Sequence, residues 1–277
     1  MVDIIIPIYN TPQNDLKRCL DSILNQTSND YKVYLIDDGS NEETKIFLND
    51  YIKNKNNFIL KSIPNNGVSN ARNVGINISS SPFIAFVDSD DTLTPAFIEE
   101  ATKIIKDNNL DIIIGGYNEI RNNEIIRTRL CHTGLHIYEK DNINNFLEKL
   151  LSSITNERNE EINDAPVGRI YTRLFRRTSI NNLRFDTNIH MSEDTLFMID
   201  YTLKVNRIGL IDKVWYNYYI NDYSISKATN KEKMINNING FINEIEKRKN
   251  KENNSLLIDA YNTRIQKANN QINKLRW

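Results

Sequence analysis

The sequence predicts an α/β fold in which a mostly parallel β-sheet is flanked by helices, followed by a C-terminal helical appendage. Short runs rich in β-branched and aromatic residues alternate with stretches whose apolar residues recur at helical spacing. This alternation is typical of βαβ units, whose strands pair in parallel. Polar clusters follow four consecutive predicted strands. Because ligands bind beyond the carboxyl ends of parallel strands, these clusters indicate a binding site at one edge of the sheet.

The first part of the chain contains five predicted strands with helices between them. The strands are expected at residues 3–8, 31–36, 58–63, 82–87 and 111–116. Helical spacing of apolar residues predicts helices around residues 16–24, 46–52 and 68–78, and a further helix from Pro95. The four polar clusters at strand ends are Pro7-Ile8-Tyr9-Asn10, Asp37-Asp38-Gly39-Ser40, Asn65-Asn66-Gly67 and Asp88-Ser89-Asp90-Asp91. One such cluster is ordinary turn chemistry, whereas four in succession favour a site.

After about residue 120 the alternation becomes less regular. Asn122-Asn123 predicts a hairpin turn, residues 143–154 predict a helix, and the polar residues 155–164 predict a loop. Residues 169–175 are compatible with either a strand or a short helix. The last elements of this part are a helix from Ser192, with Glu193 and Asp194 in its first turn, and an aromatic strand at residues 214–220.

The composition changes from Asn230 onward, where two apolar faces at helical spacing predict a helical hairpin. The faces consist of Met234, Ile235, Ile238, Phe241, Ile242 and Ile245, and of Leu257, Tyr261, Ile265, Ala268, Ile272 and Leu275. From Lys227 onward the chain holds eleven Lys and Arg residues but five acidic ones. Three interpretations are open: packing on the preceding domain, a homo-oligomer formed through these helices, or contact with an anionic membrane surface. The predicted division is a domain of residues 1–229 and a hairpin of residues 230–277.

Composition excludes several classes of protein. The formal net charge is −1, so no basic field favours nucleic-acid binding. Cys19 and Cys131 are the two cysteines, and without zinc-like or CxxC spacing each is expected to be a reduced thiol. The N-terminus has no signal-peptide pattern, and no apolar stretch approaches the ~20 residues that span a bilayer. These features predict a cytoplasmic protein that is soluble or attached peripherally at the inner face of the membrane.

Asp88-Ser89-Asp90-Asp91 places three carboxylates together where a buried strand is predicted to end. Adjacent buried charges of one sign are unfavourable unless a cation or strong hydrogen-bond donors neutralise them. Mg²⁺ and Mn²⁺ prefer oxygen ligands and usually complete their coordination with substrate phosphates. The alternative is that Asp91, Thr92 or Thr94 caps a helix that begins at Pro95. Capping accounts for one of these residues but not for three carboxylates in four positions.

The loop after the second strand carries another candidate group. Asp38 can accept hydrogen bonds from a nucleotide base or from ribose hydroxyls, and Gly39 allows the backbone to approach a ligand closely. The alternative is an ordinary turn in which Ser40 or Asn41 caps the following helix.

The start of the third helix carries a third candidate group. Helical spacing places Ser69, Arg72 and Asn73 near one face, while Ala71 and Gly75 are small enough for close packing on the sheet. A guanidinium at position 72 can pair with a phosphate through two parallel hydrogen bonds, which lysine does not reproduce. The alternative is a surface arginine in a local ion pair.

These motifs together resemble a known family. Four of them are Pro7-Ile8-Tyr9-Asn10, Ile36-Asp37-Asp38-Gly39-Ser40, the segment from Asn66 to Asn73, and Val87-Asp88-Ser89-Asp90-Asp91; the fifth is Ser192-Glu193-Asp194-Thr195-Leu196-Phe197, followed by the aromatic strand before Ser224-Ile225-Ser226. In this order and spacing they closely resemble the family 2 glycosyltransferases, which have the Rossmann-like GT-A fold. The resemblance covers roughly residues 3 to 226, and five motifs in order make it specific.

The resemblance implies a donor site formed by the first half of the chain. Pro7 and Tyr9 correspond to the wall around the nucleotide base, and Asp38 corresponds to the acceptor that binds the base. Asn66 and Arg72 correspond to residues that contact the nucleotide and its phosphates.

The resemblance also implies a metal site and a general base. Asp88 corresponds to the first DxD carboxylate, which family members use on ribose, sugar or metal. Asp90 corresponds to the main ligand of Mn²⁺ or Mg²⁺, with Asp91 as a neighbouring contact. Asp194 corresponds to the general base. A position in the first helical turn favours its ionised form unless burial raises its pKa.

The expected function is therefore an inverting transfer of a sugar from a UDP-sugar to a hydroxyl of a cell-surface glycan or of a lipid-linked or protein-linked glycan. Residues 1–120 are expected to bind the nucleotide-sugar, and residues 121–229 the acceptor. One alternative is a sugar nucleotidyltransferase, which needs a Gly-rich phosphate loop where Pro7-Ile8-Tyr9-Asn10 stands. Another is a catalytically silent binding or assembly subunit, although Asp88, Asp90 and Asp194 are all present.

Three features depart from the family pattern or stay open. The sequence has no Gln-x-x-Arg-Trp motif, which argues against a processive synthase. Many relatives carry an arginine shortly before the last Ser-Ile, where this chain has Ile220-Asn221-Asp222-Tyr223. His190 either contacts metal or acceptor or simply faces solvent.

Overall fold

The computed structural model describes residues 1–130, 133–152, 168–220 and 230–276. The first four predicted strands are present as β1 (Val2–Ile8), β2 (Tyr31–Asp37), β3 (Phe58–Ser62) and β4 (Phe83–Phe86). They lie in the order β3-β2-β1-β4, and every neighbouring pair is parallel. Their carboxyl ends therefore meet at one edge of the sheet, as predicted.

Helices α1 (Gln13–Leu24), α2 (Glu42–Ile52) and α3 (Val68–Ile78) connect these strands. Asn41 caps α2, because its side chain accepts a hydrogen bond from the Thr44 N–H at 2.9 Å. The helix α3 lies very close to β1. A Cβ atom at Gly75 would lie 2.3 Å from Cγ2 of Ile5, so only glycine permits this approach. The predicted small-residue contact between the third helix and the sheet is therefore present.

The sheet continues with strands from the second half of the chain. The further elements are β5 (Thr92–Leu93), α4 (Phe97–Asp107), β6 (Ile112–Arg121), β7 (Glu124–Arg129), β8 (His136–Tyr138), α5 (Ile143–Ser152), β9 (Arg173–Arg176), α6 (Arg177–Ile180), α7 (Glu193–Thr202) and β10 (Ile208–Tyr219). Beyond β4 the order is β9-β6-β10-β5, with β7 paired to β6 and β8 paired to β10. Strand β9 runs antiparallel to both β4 and β6. The predicted α/β class is confirmed, and the sheet as a whole is mixed.

Several local predictions have clear outcomes. Asn122 and Asn123 adopt φ values of 51° and 63° in the turn between β6 and β7, which confirms the predicted hairpin. The predicted helix at residues 143–154 is described up to Ser152, and the predicted loop at 155–164 lies outside the described residues. The ambiguous segment 169–175 leads into a strand, β9.

The C-terminal helices are α8 (Lys231–Lys249) and α9 (Ser255–Arg276), and they pack against each other and against α5 and α7. Their apolar residues, such as Ile238, Ile245 and Tyr261, are buried in the core that they share with the rest of the chain. Arg248 binds Asp200 of α7 through two hydrogen bonds, Nε to Oδ1 at 2.8 Å and Nη2 to Oδ2 at 2.6 Å. Of the three interpretations of the hairpin, the structure favours packing on the preceding domain.

None of the helices in the described segments is long and apolar enough to cross a lipid bilayer.

Candidate active site

Asp38 ties two loops together at the carboxyl edge of the sheet. It follows β2, and its backbone N–H donates to the Ile8 carbonyl at the end of β1 at 2.8 Å. Its Oδ1 accepts from the Asn66 N–H at 2.9 Å and its Oδ2 from the Gly67 N–H at 2.8 Å. The carboxylate is only 3% exposed. Asp38 thus sets the position of the loop that leads into α3, and its contact with a base stays a prediction.

The other residues expected at the nucleotide lie on the same edge. Pro7 is buried within β1, whereas the Tyr9 side chain beyond the strand is 45% exposed. Asn66 is also exposed, although its backbone is held by Asp38. Tyr9 and Asn66 are therefore accessible to a ligand, and their predicted roles are compatible with these positions.

The third carboxylate of the Asp88–Asp91 loop is a structural anchor. Asp91 is 1% exposed, and its Oδ2 accepts the Tyr216 hydroxyl at 2.8 Å while its Oδ1 accepts the Tyr219 N–H at 2.8 Å. The same Tyr216 oxygen accepts the Asp88 N–H at 3.1 Å. Strand β10 thus holds the loop from one side through two carboxylate hydrogen bonds and one backbone hydrogen bond.

The capping interpretation of this loop is wrong. The short strand β5 follows Asp91, and α4 begins at Phe97 with Ala96 at its N-cap and no side-chain cap. Thr94 instead donates its hydroxyl to the Val214 carbonyl at 3.1 Å. The residues that were candidates for capping this helix therefore contact β10 instead.

Arg18 of α1 holds the same loop from the other side. Its Nη2 donates to the Asp90 carbonyl at 2.7 Å, and its Nη1 donates to Asp15 Oδ1 at 2.7 Å. The guanidinium carbon lies 3.7 Å from the centroid of the Tyr219 ring. Sequence reasoning missed Arg18 and Tyr216, because no local pattern predicts contacts between residues 72 and 125 positions apart.

Asp88 and Asp90 are partly exposed, unlike Asp91. Burial raises the pKa of Asp91 well above its ordinary value, and the negative charges of Asp90 and Asp88 raise it further. The loop therefore has a negative potential that a cation would relieve. Within the described segments, no group of three or more His, Cys, Asp or Glu is arranged to hold a metal ion. A Mg²⁺-like or Mn²⁺-like cation at this loop would be held by Asp88 and Asp90 and would take its other ligands from water and substrate phosphates.

Arg72 joins the Asp88 loop to the first turn of α7. Its Nη2 donates to Asp88 Oδ1 at 3.0 Å, and its Nη1 donates to Asp194 Oδ1 at 2.7 Å and Glu193 Oε1 at 3.0 Å. The side chain is buried, so the interpretation as a surface arginine is wrong. Burial disfavours its charge, but Asp194, Asp88 and Glu193 prevail and raise the pKa of Arg72. Its expected contact with donor phosphates stays a prediction.

Asp194 is the second residue of α7, and its pKa is strongly shifted. Burial raises its pKa from 3.8 to about 7; Arg72 and Arg169 oppose this rise, while Glu193 and Asp88 add to it. Its Oδ1 accepts from Arg72, and its Oδ2 accepts from the Ile170 N–H at 3.2 Å. Burial thus outweighs the favourable position in the first helical turn. A carboxylate with a pKa near 7 suits a general base at neutral pH.

A tyrosine cluster with one arginine lies beside Asp194. The rings of Tyr171 and Tyr216 stack with centroids 4.5 Å apart and planes 7° apart. Tyr218 also stacks on the Tyr171 ring, with centroids 5.9 Å apart. The guanidinium carbon of Arg169 lies 5.5 Å from the ring centroids of both Tyr171 and Tyr218. Sequence reasoning did not identify Arg169, because its segment carried no distinct pattern.

Two open features of the sequence lie at the margin of the site. His190 is exposed, in agreement with the solvent-facing interpretation. Residues 221–229, which include the position of the absent arginine and Ser224-Ile225-Ser226, lie outside the described residues.

Comparison with known sequences connects this geometry to a family. Residues 3–215 match the profile described as Glycosyl transferase family 2. The uncharacterized glycosyltransferase EpsJ of Bacillus subtilis is 28% identical over 240 residues, which cover 84% of this chain and 65% of EpsJ. The poly(ribitol-phosphate) beta-N-acetylglucosaminyltransferase TarP of Staphylococcus aureus is 29% identical, with 100% of this chain and 84% of TarP covered. A poly(ribitol-phosphate) beta-glucosyltransferase of Bacillus spizizenii is 26% identical over 79% of this chain and 32% of its own length. This chain therefore spans less than two thirds of some of these relatives.

Solved structures show the same fold. Residues 1–349 of S. aureus TarS, in complex with UDP-GlcNAc, superpose with a TM-score of 0.67 and 20% identity, covering 88% of this chain and 66% of that one. The Pyrobaculum calidifontis mannosyltransferase PcManGT, in complex with GDP-Man and Mn²⁺, superposes with a TM-score of 0.60 and 14% identity, covering 95% and 68%. At these identities the likeness concerns the fold alone.

Proposed function

Because this chain belongs to glycosyl transferase family 2, we propose that it transfers a sugar from a UDP-sugar to a hydroxyl of a cell-surface glycan or glycoconjugate, with inversion at the anomeric carbon. The observation that carries the proposal is the position of Arg72, whose guanidinium binds Asp88 on one side and Asp194 on the other. This contact brings the DxD loop and the general base into one site.

The donor is proposed to lie along the carboxyl edge of β1 to β4. Tyr9 and Asn66 are exposed there, and Asp38 and Asn66 border the loop into α3. The TarS complexes with UDP-GlcNAc and with UDP support a uridine nucleotide in a related fold. Asp88 and Asp90 are proposed to hold Mn²⁺ or Mg²⁺, which would stabilise the charge that develops on the departing diphosphate.

Asp194 is proposed to remove the proton from the attacking hydroxyl. In an inverting transfer that hydroxyl approaches the anomeric carbon from the face opposite the leaving group, and a carboxylate beside it accepts the proton. The hydrogen bonds from Arg72 and from the Ile170 N–H hold the two Asp194 oxygens in place. Both contacts orient the base before the substrates arrive, which favours catalysis by positioning.

The acceptor is proposed to be a cell-envelope polymer. Two of the relatives are named for transfer to poly(ribitol-phosphate), which makes a polyol-phosphate chain the first acceptor to test. The segment that borders Asp194, from Gly168 through the Tyr171 cluster, belongs to the acceptor half expected from the sequence.

The test measures UDP release from a panel of UDP-sugars, including UDP-N-acetylglucosamine and UDP-glucose, with Mn²⁺ and with EDTA. The wild-type protein is expected to release UDP from one donor, and Asp194→Asn is expected to reduce transfer about a thousandfold or more while UDP binding persists. Asp212→Asn is the matched control, because Asp212 is exposed on β10. Absence of turnover with every donor, together with no cation-dependent UDP binding, would contradict the proposal.

A further inference from the structure

Among the described residues Arg169 makes no salt bridge, and its positive charge acts on the proposed general base, since it lowers the pKa of Asp194. Its Nε is buried and has no hydrogen-bond partner. Across the parts of the chain that the structure describes, the Arg169 side chain makes no hydrogen bond and no ion pair; its close contacts are the faces of Tyr171 and Tyr218. Arg72 is the contrast, since it is surrounded by Asp88, Glu193 and Asp194.

The aromatic rings beside Arg169 are packed against one another. Tyr171 is buried and stacks on Tyr216, whose hydroxyl is fixed by Asp91. Tyr218 stacks on the same Tyr171 ring. The attraction of a cation to two ring faces is weaker than the cost of withdrawing a guanidinium from water. An anion that binds this guanidinium would complete its interactions.

Two contacts with the first turn of α7 fix Arg169 next to Asp194. On one side, a Cβ atom at Gly168 would lie 2.8 Å from Thr195 Oγ1, so the backbone approaches the helix closely there. On the other side, the Ile170 N–H donates to Asp194 Oδ2 at 3.2 Å. Arg72, which also binds Asp88 of the DxD loop, lies on the Oδ1 side of Asp194. The Ile170 contact therefore places the Arg169 backbone on the Oδ2 side of Asp194, while Tyr171, over which its guanidinium lies, stacks on Tyr216, the residue that anchors Asp91.

From this arrangement we propose that Arg169 forms an anion subsite for a phosphate group of the acceptor, adjacent to the hydroxyl that Asp194 deprotonates. The inference rests on the proposed function, because it assumes that an acceptor hydroxyl lies at Asp194. This subsite would select acceptor polymers or glycoconjugates that carry a phosphate close to the reacting hydroxyl. The donor diphosphate is the other source of the same chemistry, and the experiment separates the two.

The test uses methyl phosphate as the probe and titrates it into UDP-saturated protein, followed by ³¹P NMR, with EDTA present so that no cation binds the probe. Arg169→Gln is expected to weaken methyl phosphate binding about tenfold or more, as for loss of a charge-assisted hydrogen bond. Its affinity for UDP is expected to stay within about twofold. Arg169→Lys keeps the charge and is expected to restore part of the binding.

Lys106→Met is the matched control, because Lys106 also lies over an aromatic ring, with Nζ 5.8 Å from the centroid of Phe83 at the opposite end of β4. It is expected to bind methyl phosphate like the wild type. The inference is overturned if the wild type does not bind methyl phosphate, if Arg169→Gln binds it equally well, or if Arg169→Gln loses UDP affinity instead. Failure of UDP release by the wild type would count against the proposed function, whereas the phosphate titration is read without turnover.

Discussion

Replacing Arg72 by methionine is expected to shift the pH dependence of sugar transfer to higher pH. Burial raises the pKa of Asp194 to about 7, the Arg72 cation opposes the rise, and Glu193 and Asp88 add to it. Without the guanidinium, Asp194 loses a hydrogen bond of 2.7 Å and keeps its acidic neighbours. The pKa of Asp194 then rises further, so the base is protonated over a wider range of pH.

The size of the increase in the pKa of Asp194 follows from the lost hydrogen bond with Arg72. A hydrogen bond from a charged group contributes about 1.5–3 kcal/mol, and 1.36 kcal/mol corresponds to one pKa unit. The pKa of Asp194 is therefore expected to increase by about one to two in Arg72→Met. At pH 7 about half of Asp194 is ionised in the wild type, so the rate is expected to fall about five- to fiftyfold from the change in ionisation.

The assay is the pH profile of kcat/KM for UDP-sugar transfer, between about pH 5 and pH 10. The wild-type rate is expected to rise with pH and level off above about 7, as Asp194 loses its proton. Arg72→Lys is the control, because it keeps a positive charge but not the hydrogen bonds to all three carboxylates. The midpoint of its pH profile is expected between those of the wild type and Arg72→Met. Circular dichroism and UDP titration report whether the variants fold. A folded Arg72→Met protein that binds UDP and has an unchanged midpoint would refute the reasoning.

Three further predictions concern the metal site, the loop anchor and the C-terminal helices. Asp90→Ala is expected to weaken UDP binding measured by calorimetry with Mn²⁺ but not with EDTA; equal weakening in both buffers would contradict its role as a ligand. Tyr216→Phe removes the hydroxyl that donates to buried Asp91, so the free energy of unfolding in urea is expected to fall by about 1–3 kcal/mol. An unchanged midpoint of urea unfolding would argue against Asp91 as the anchor of the loop. Arg248→Met breaks the paired hydrogen bonds with partly exposed Asp200 and is expected to lower the free energy of unfolding by about 1 kcal/mol. The particle size measured by light scattering is expected to stay the same. A change in size would instead connect these helices to assembly.

The part of the fold that local periodicity can encode was predictable from the sequence. The strands β1 to β4 and the helices between them follow from alternating apolar runs, and their parallel order places the four polar clusters on one edge. The left-handed turn at Asn122 and Asn123 follows from the tolerance of asparagine for positive φ. In these cases the local residue pattern is sufficient to predict the element.

The remaining features depend on contacts between distant residues. The sequence around β9 does not show that this strand inserts antiparallel between β4 and β6, because its pairing is decided by those partners. Likewise, Arg72 and Glu193 are 121 positions apart, and a helix-start acid looks the same whether or not an arginine meets it. Asp91 looked like a metal neighbour or a cap, and only β10 makes it an anchor.

The helix α3 sets the distance between the DxD loop and the general base. Arg72 binds Asp88 and Asp194, and the next residue, Asn73, fixes the segment that leads to α7 by donating to the Phe185 carbonyl at 2.9 Å and accepting the Phe185 N–H at 2.8 Å. This arrangement has an energetic cost, since raising the pKa of Asp194 from 3.8 to about 7 disfavours its ionised form by about 4 kcal/mol. Because the folded protein holds that proton more tightly than the unfolded chain, the site lowers stability progressively as pH rises from about 4 to about 7. Gly75 packs closely on β1 and Asn73 binds the backbone of Phe185 in both directions, so the geometry of the base depends on contacts of α3 with both the sheet and the loop before α7.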